Sequence, residues 1–391
     1  MSHSGHAASA AAIPPAWRRL ADHSVRLIAE AQASSGAFPA AVTFAPYTFC
    51  WFRDGAFIAD GMSAAGGHAQ AAAFHRWCAQ VLRLERPAVD GAVAAARAGT
   101  TLPDHAYLPA RYALDGSRHE DDWWNFQVDG YGTWLWALER HLRRTGEPAE
   151  SYAGAIETAV RYLAATGRNT CRDWWEEHRD HRHVATLAGV HAGLRAAVRM
   201  GTLDGDVATT ASSVAAGARE DIVGRGVRHG RLTKWLDTSD EVDGSLVAVA
   251  ALYEVVPPDG DLASATVAAV EDQLMSAPGS GVHRYPSDTF FGGGQWPVLA
   301  CLLAWHHARL GRCGRAAQLL DWVAATADEA GDLPEQTPPL LAPDRLDEWL
   351  ERWGPSARPL LWSHGMFLAA LEAYGLALGA EGDRDLGPDR E

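Results

Sequence analysis

The segment DWWEEHRDHRH, residues 173–183, sets Glu176 beside Glu177 and behind Trp174 and Trp175. A neighbouring carboxylate repels charge and bulky rings exclude water, so both features disfavour the ionised form of Glu176 and suit it to donate a proton. A second acid, Glu335 in DLPEQTPP, lies in a helix-free loop whose prolines fix the backbone on both sides. Carboxylates among tryptophans suit a sugar site, because flat rings cover the apolar faces of pyranoses while acids, Arg and Gln take the hydroxyls. Hydrolysis of a glycoside needs one carboxyl protonated and another ionised. The plainer alternative is that both acids are solvated surface groups. HRDHRH resembles a metal tract, but no H-E-x-x-H helix accompanies it, and the histidines read as a hydrogen-bonded cluster. No nucleophile elbow, P-loop or dinucleotide fingerprint is present. No metal and no cofactor are therefore expected.

The elements that must position these acids read as helices, since Ala and Leu recur at helical spacing and strand-like alternation is scarce. Periodic segments lie near 17–33, 53–65, 69–83, 128–144, 151–167, 183–200, 206–224, 241–256, 262–275, 295–311, 313–330 and 360–379. QWPVLACLLAWHHARLG and VDGSLVAVAALYEVV are apolar on nearly every face and must be buried all round, whereas GRAAQLLDWVAATADEAG keeps a polar face. Alternation of buried and half-buried helices is economical as an inner ring inside an outer one, an all-α toroid of six helical hairpins. The aromatic and charged clusters precede every second helix: YTFCWFRDGAF, WWNFQVDGYG, DWWEEHRDHRH, LDTSDEVDGS, RYPSDTFFGGGQW, then LPEQTPP with LLWSHG. In such a ring these connections share one rim and describe one crater.

With 391 residues, 47% hydrophobic, the chain can bury a large core, read as one domain over 15–380 between disordered tails at 1–14 and 381–391. A net charge of -15 argues against nucleic acid or an anionic membrane as partner and fits a small neutral oligosaccharide. Five cysteines without a C-x-x-C pair, no export signal and no membrane span point to the cytoplasm. Oligomeric state is not written in the sequence.

The motifs resemble glycoside hydrolase family 15, the glucoamylase-type enzymes, in six blocks that follow the family's order: YTFCWFRDGAF, WNFQVDGYGTWLWAL, CRDWWEE, VDGSL, RYPSDTFFGGGQW, and LPEQ with LLWSHGMFLAAL. The resemblance implies an (α/α)6 barrel and inverting removal of glucose from a non-reducing end, with release of β-glucose. It makes Glu176 the general acid, Glu177 a sugar-binding neighbour and Glu335 the general base. Arg53 and Asp54 are expected to hold the far hydroxyls of the terminal glucose. Trp51, Trp123, Gln127, Trp175, Arg284, Trp296 and Trp362 match pocket-wall positions. Inversion implies carboxyls roughly 6.5–9.5 Å apart, so that water fits between the base and the sugar.

Phe290 and Phe291 stand where relatives carry tyrosines. The family's tyrosine at the position of Tyr47 lies near the catalytic water, held by the tyrosine at 290; with Phe290 there, Tyr47 is expected to be freer and to share the base role with Glu335. The chain also lacks the family's frequent N-terminal β-domain and starch-binding domain, which favours isomaltose or short α-1,6 oligosaccharides over starch, with α-1,4 maltooligosaccharides and trehalose behind. A sugar-binding barrel without catalysis, or an unrelated toroid such as a cyclase, would lack the paired acids or carry a metal motif absent here.

Overall fold

The computed structural model describes residues 13–119, 123 and 126–385. Helices dominate: α1 (Pro15–Ala31), α2 (Phe52–Ala64), α3 (His68–Leu84), α4 (Arg86–Ala98), α5 (Asp129–Thr145), α6 (Ala153–Thr166), α7 (Val184–Met200), α8 (Gly205–Arg225), α9 (Val247–Ala251), α10 (Asp261–Leu274), α11 (Pro297–Arg309), α12 (Cys313–Ala325), α13 (Leu346–Trp353) and α14 (Leu361–Asp385). Three antiparallel pairs of two-residue strands and short 3-10 turns complete the regular structure among the described residues.

Burial sorts the helices into two shells. In α11 every residue from Pro297 to Ala308 is buried. In α10 only Ala263, Thr266, Val267, Val270 and Leu274 are, one stripe at helical spacing. The more deeply buried helices α2, α5, α7, α9, α11 and α14 pack each on the next, and α14 returns to α2. This closed inner ring, with α1, α3, α6, α8, α10 and α12 outside it, is the expected (α/α)6 barrel.

Three elements depart from the expected string. Helix α4, absent from the expected string, carries Pro87 in its first turn, where a missing N–H costs nothing. Helix α13 is short, lies between Pro343 and Gly354, and buries no residue fully. The helix expected over 241–256 shrinks to Val247–Ala251, because Asp243 caps a 3-10 turn at Gly244–Leu246 and the chain leaves at Glu254 with φ 50°. At the carboxyl end α14 runs to Asp385, past the expected boundary at 380. Most of the expected tails, residues 1–12 and 386–391, lie outside the described residues.

Glycine sets the spacing of the inner ring where α5 crosses α7. A Cβ on Gly132 would stand 2.3 Å from the carbonyl oxygen of Gly189, and one on Gly193 would stand 2.3 Å from that of Gly132. Both obstacles are backbone, which cannot swing aside. Gly193→Ala is expected to destabilise the protein by at least about 2 kcal/mol, measured by urea unfolding.

Candidate active site

Five inner helices, α2, α5, α7, α11 and α14, present their N-terminal ends or the loops before them to one cavity of about 520 Å³. Arg53 and Asp54 sit in the first turn of α2, Trp296 directly precedes α11 and Trp362 opens α14. Glu335 comes from the loop between α12 and α13, and Glu176 from the turn before α7. Tyr47, Trp51, Arg53, Asp54, Trp123, Trp175, Glu176, Glu177, Arg284, Phe290, Trp296, Glu335 and Trp362 all line the cavity. Gln127 does not; it stands behind the wall, accepting from Arg53 Nη1 at 2.7 Å and donating to Glu176 Oε1 at 2.8 Å.

Glu176 is held by three N–H donors from two other segments. Trp51 Nε1 donates to Oε1 at 2.6 Å, Trp123 Nε1 to Oε2 at 2.5 Å, and Gln127 joins Trp51 on Oε1. The physical cause read from the sequence is corrected here. Glu177 turns away, to Arg284 Nη2 at 3.4 Å and to the Tyr285 hydroxyl. The Trp175 indole donates to Asp243 Oδ2 at 2.9 Å. The adjacent acids thus divide between two partner sets, and the repulsion expected between them does not govern the site. A tight turn makes this possible: Asp173 Oδ1 accepts the backbone N–H of Trp175 and of Glu177, and Glu176 between them has φ 65°. A non-glycine residue pays strain there, which the surrounding bonds must overcome.

Glu335 is disfavoured as an ion. Burial raises its pKa from 4.5 to about 7, against the hydrogen bond from Tyr47 and the charge of Arg284. Its Oε1 accepts the Tyr47 hydroxyl at 2.8 Å, and its buried Oε2 has no protein partner. Tyr47 is therefore not free, as the loss of a phenolic partner at Phe290 suggests; its partner is Glu335 itself. Burial, then the charge of Glu335, push the phenol pKa up, so Tyr47 keeps its proton and donates.

Around these acids stand polar groups that a polyol would satisfy. The indole N–H groups of Trp174, Trp296 and Trp362 are buried without protein partners, and all three rings line the cavity. An unpaired buried donor is costly, so such groups favour a ligand rich in hydroxyl oxygens. Arg284, bonded to Asp288 at 2.8 Å, lies 4.9 Å from the centre of the Phe290 ring. Asp54, whose pKa burial raises to about 6 against the pull of Arg53, adds a further acceptor.

Sequence reasoning missed Trp349 and Trp353, which α13 lays over the mouth; Trp353 stacks on Trp123 at 5.8 Å. Their spacing of four was a helical signal in a stretch read as loop. The HRDHRH tract disperses into structural contacts: Arg179 binds Asp104, His181 stacks on Trp235 at 4.2 Å, and His183 bonds the Cys171 carbonyl at 3.1 Å. Asp173, Glu177 and His178 approach one another within 4.8 Å, with Lys234 Nζ already 3.7 Å from Asp173.

A helical barrel with two carboxyls from distant loops in one indole-lined hollow is the apparatus of a glycoside hydrolase. The family model "Glycosyl hydrolases family 15" matches residues 18–333. The chain belongs to that family and is a glycoside hydrolase. It is 45% identical over 360 residues to an isomaltose glucohydrolase of Kribbella flavida, covering 91% of this chain and 93% of the relative. A solved wild-type glycosidase superposes with a TM-score of 0.89 at 44% identity, covering 92% of this chain and 97% of that one. A glucoamylase from Saccharomycopsis fibuligera shares the fold, with a TM-score of 0.73 at 17% identity over 92% of this chain and 95% of its own. Among the described residues no helix is long and apolar enough to cross a membrane.

Two outcomes follow from the raised pKa of Glu335. Its folded value lies above the unfolded one, so its contribution to stability is full below pH 4.5 and is lost as pH rises through about 7. Glu335→Gln should therefore raise stability at pH 8 by roughly 1–3 kcal/mol, a gain that vanishes toward pH 4.5, measured by denaturant unfolding at both pH values. Tyr47→Phe removes a bond that favours the ion. With Glu335 as the base, the acidic limb of kcat/KM is expected near pH 7 in the parent and should move to higher pH in the variant.

Proposed function

We propose that this enzyme is an inverting exo-α-glucosidase that releases β-glucose from the non-reducing end of small α-glucosides, isomaltose foremost. The observation that carries the reading is the pair Glu176 and Glu335 lining one cavity, the first gripped by N–H donors and the second buried with a free oxygen. Glu176 protonates the bridging oxygen. Glu335 Oε2 accepts a proton from the water that attacks the anomeric carbon from the opposite face. Tyr47 O–H bonded to Oε1 leaves Oε2 for that water and supports the base by orienting the carboxylate rather than by taking the proton itself.

Arg53, Asp54 and Trp362 receive the hydroxyls and the face of the terminal glucose. Trp51, Trp175, Arg284, Phe290 and Trp296 complete its wall, with Gln127 supporting from behind. Glu177 and Trp123 meet the departing sugar. The isomaltose preference is supported by the similarity to the Kribbella enzyme along nearly the full length of both chains. A cytoplasmic site of action fits five cysteines that are all unpaired.

The test incubates the enzyme separately with isomaltose, maltose, kojibiose, nigerose and trehalose and follows the newly formed anomeric proton by NMR. Fast appearance of β-glucose from isomaltose is expected. Initial release of α-glucose would refute inversion, and faster turnover of maltose or trehalose would move the substrate. Glu176→Gln and Glu335→Gln should each lower kcat on isomaltose by roughly 10²–10⁴-fold.

A further inference from the structure

Of the 34 Lys and Arg residues in the chain, one is lysine, Lys234, and the remaining 33 are arginine. A chain that elsewhere uses guanidinium keeps an ammonium here, and the surroundings explain why. The side chain is 2% exposed. Its Nζ stands 3.3 Å from Asp243 Oδ2, 3.7 Å from Asp173 Oδ2 and 3.2 Å from the centre of the Tyr285 ring. A compact point charge can face two carboxylates and a ring face at once, whereas a planar fork of five donors would be forced into a closed site. The backbone is fixed as well: Lys234 N–H donates to the Glu241 carbonyl at 3.0 Å, and Val184 N–H donates to the Lys234 carbonyl at 3.1 Å.

Each group that Lys234 touches reaches the catalytic turn. Asp173 Oδ1 holds the N–H groups of Trp175 and Glu177 at 3.0 and 2.9 Å, which fixes Glu176 between them. Asp243 clamps the Trp175 indole and accepts Ser245 N–H at 2.9 Å. The Tyr285 hydroxyl donates to Glu177. Asp173 and Asp243 are 4% and 1% exposed, so they need a counter-charge. Two histidines are the other titratable neighbours, His183 on the adjacent segment and His178 on the turn itself.

We propose that Lys234 is a positioning residue for the general acid: its ammonium ties Asp173, Asp243 and Tyr285 together and thereby aims Glu176 at the bridging oxygen and Glu177 at the departing sugar. The inference rests on the acid–base reading given under Proposed function. With Lys234→Met the chain length remains but the counter-ion goes. Two buried carboxylates then face each other, one takes up a proton, and the turn that carries Glu176 loosens.

The experiment compares isomaltose, whose leaving group must be protonated, with α-D-glucosyl fluoride, whose leaving group needs little help. Lys234→Met should lower kcat on isomaltose roughly a hundredfold and on the fluoride less than about tenfold, the pattern of a misplaced acid. Glu176→Gln serves as reference and should show the same selectivity. If Glu176→Gln is selective and Lys234→Met slows both substrates equally, or neither, the Lys234 proposal falls while the acid assignment stands. If Glu176→Gln itself slows both equally, the acid assignment fails and takes this proposal with it. A measurement on the parent enzyme needs no variant to fold. Labelling with ¹³C/¹⁵N-lysine yields one side-chain signal, expected upfield from the ring current of Tyr285; a signal at the position of a solvated lysine overturns the proposal.

Discussion

Concentrating carboxylates where water is scarce is the constraint on which this molecule turns. Asp54, Glu176, Glu177 and Glu335 line the cavity, with Asp129, Asp173, Asp243 and Asp288 close behind. An ionised group taken out of water is tolerated only when donors or cations replace the lost hydration. Each acid is met accordingly: Asp129 and Asp54 by Arg53, Asp288 and Glu177 by Arg284, Asp173 and Asp243 by Lys234, Glu176 by two indoles and an amide. Glu335 is the exception, with a phenol on one oxygen and nothing from the protein on the other. It is the carboxyl that burial lifts to about 7, and one of its oxygens is left without a protein partner.

The barrel answers that constraint through direction. Five of the six inner helices, α2, α5, α7, α11 and α14, deliver a first-turn residue or the loop before them to a common mouth, while the loop before α9 stands behind the wall with Asp243 on the Trp175 indole. No single segment could build the grip on Glu176: Trp51 precedes α2, Trp123 and Gln127 precede α5, and Glu176 itself precedes α7. Backbone approach at Gly132 and Gly193 draws α5 and α7 close, which brings two of those loops within hydrogen-bond reach. Packing deep in the ring thus sets geometry at its rim.

Legibility followed the range of the physics involved. The inner and outer helices could be read because all-round and one-sided apolarity are local patterns, as α11 and α10 illustrate. The identities of Glu176 and Glu335 could be read because their blocks are distinctive. Their environments could not, because these come from contacts across the chain. Glu177 adjoins Glu176 in sequence, yet its partner Arg284 lies 107 residues on, and the donors of Trp51 and Trp123 come from 125 and 53 residues before Glu176. Neighbours in sequence suggested a reluctant acid at Glu176; neighbours in space supply one at Glu335. Helix α13 escaped for a related reason, since its tryptophans pack on Phe290 and Trp123 rather than on a repeating core face.

Why the cavity ends where it does follows from the rings along the barrel axis. Phe57 stacks on Trp362 at 5.6 Å with planes 8° apart, and meets Trp174 at 5.7 Å and Trp136 at 5.9 Å. Tyr253 closes the layer against Trp174 and Trp136, at 6.3 and 5.9 Å. A second hollow of about 550 Å³, lined by Trp136, Tyr253 and several arginines, opens on the far side of this layer. Trp174 and Trp362 line the first hollow and Trp136 and Tyr253 the second, so this layer stands between the two. With it the barrel is blind. On the proposed exo reading a sugar chain enters by its end, where Asp54 and Arg53, 5.4 Å from the centre of the Trp362 ring, line the cavity. Removal of one terminal residue at a time is thus a property of core packing as much as of the catalytic acids.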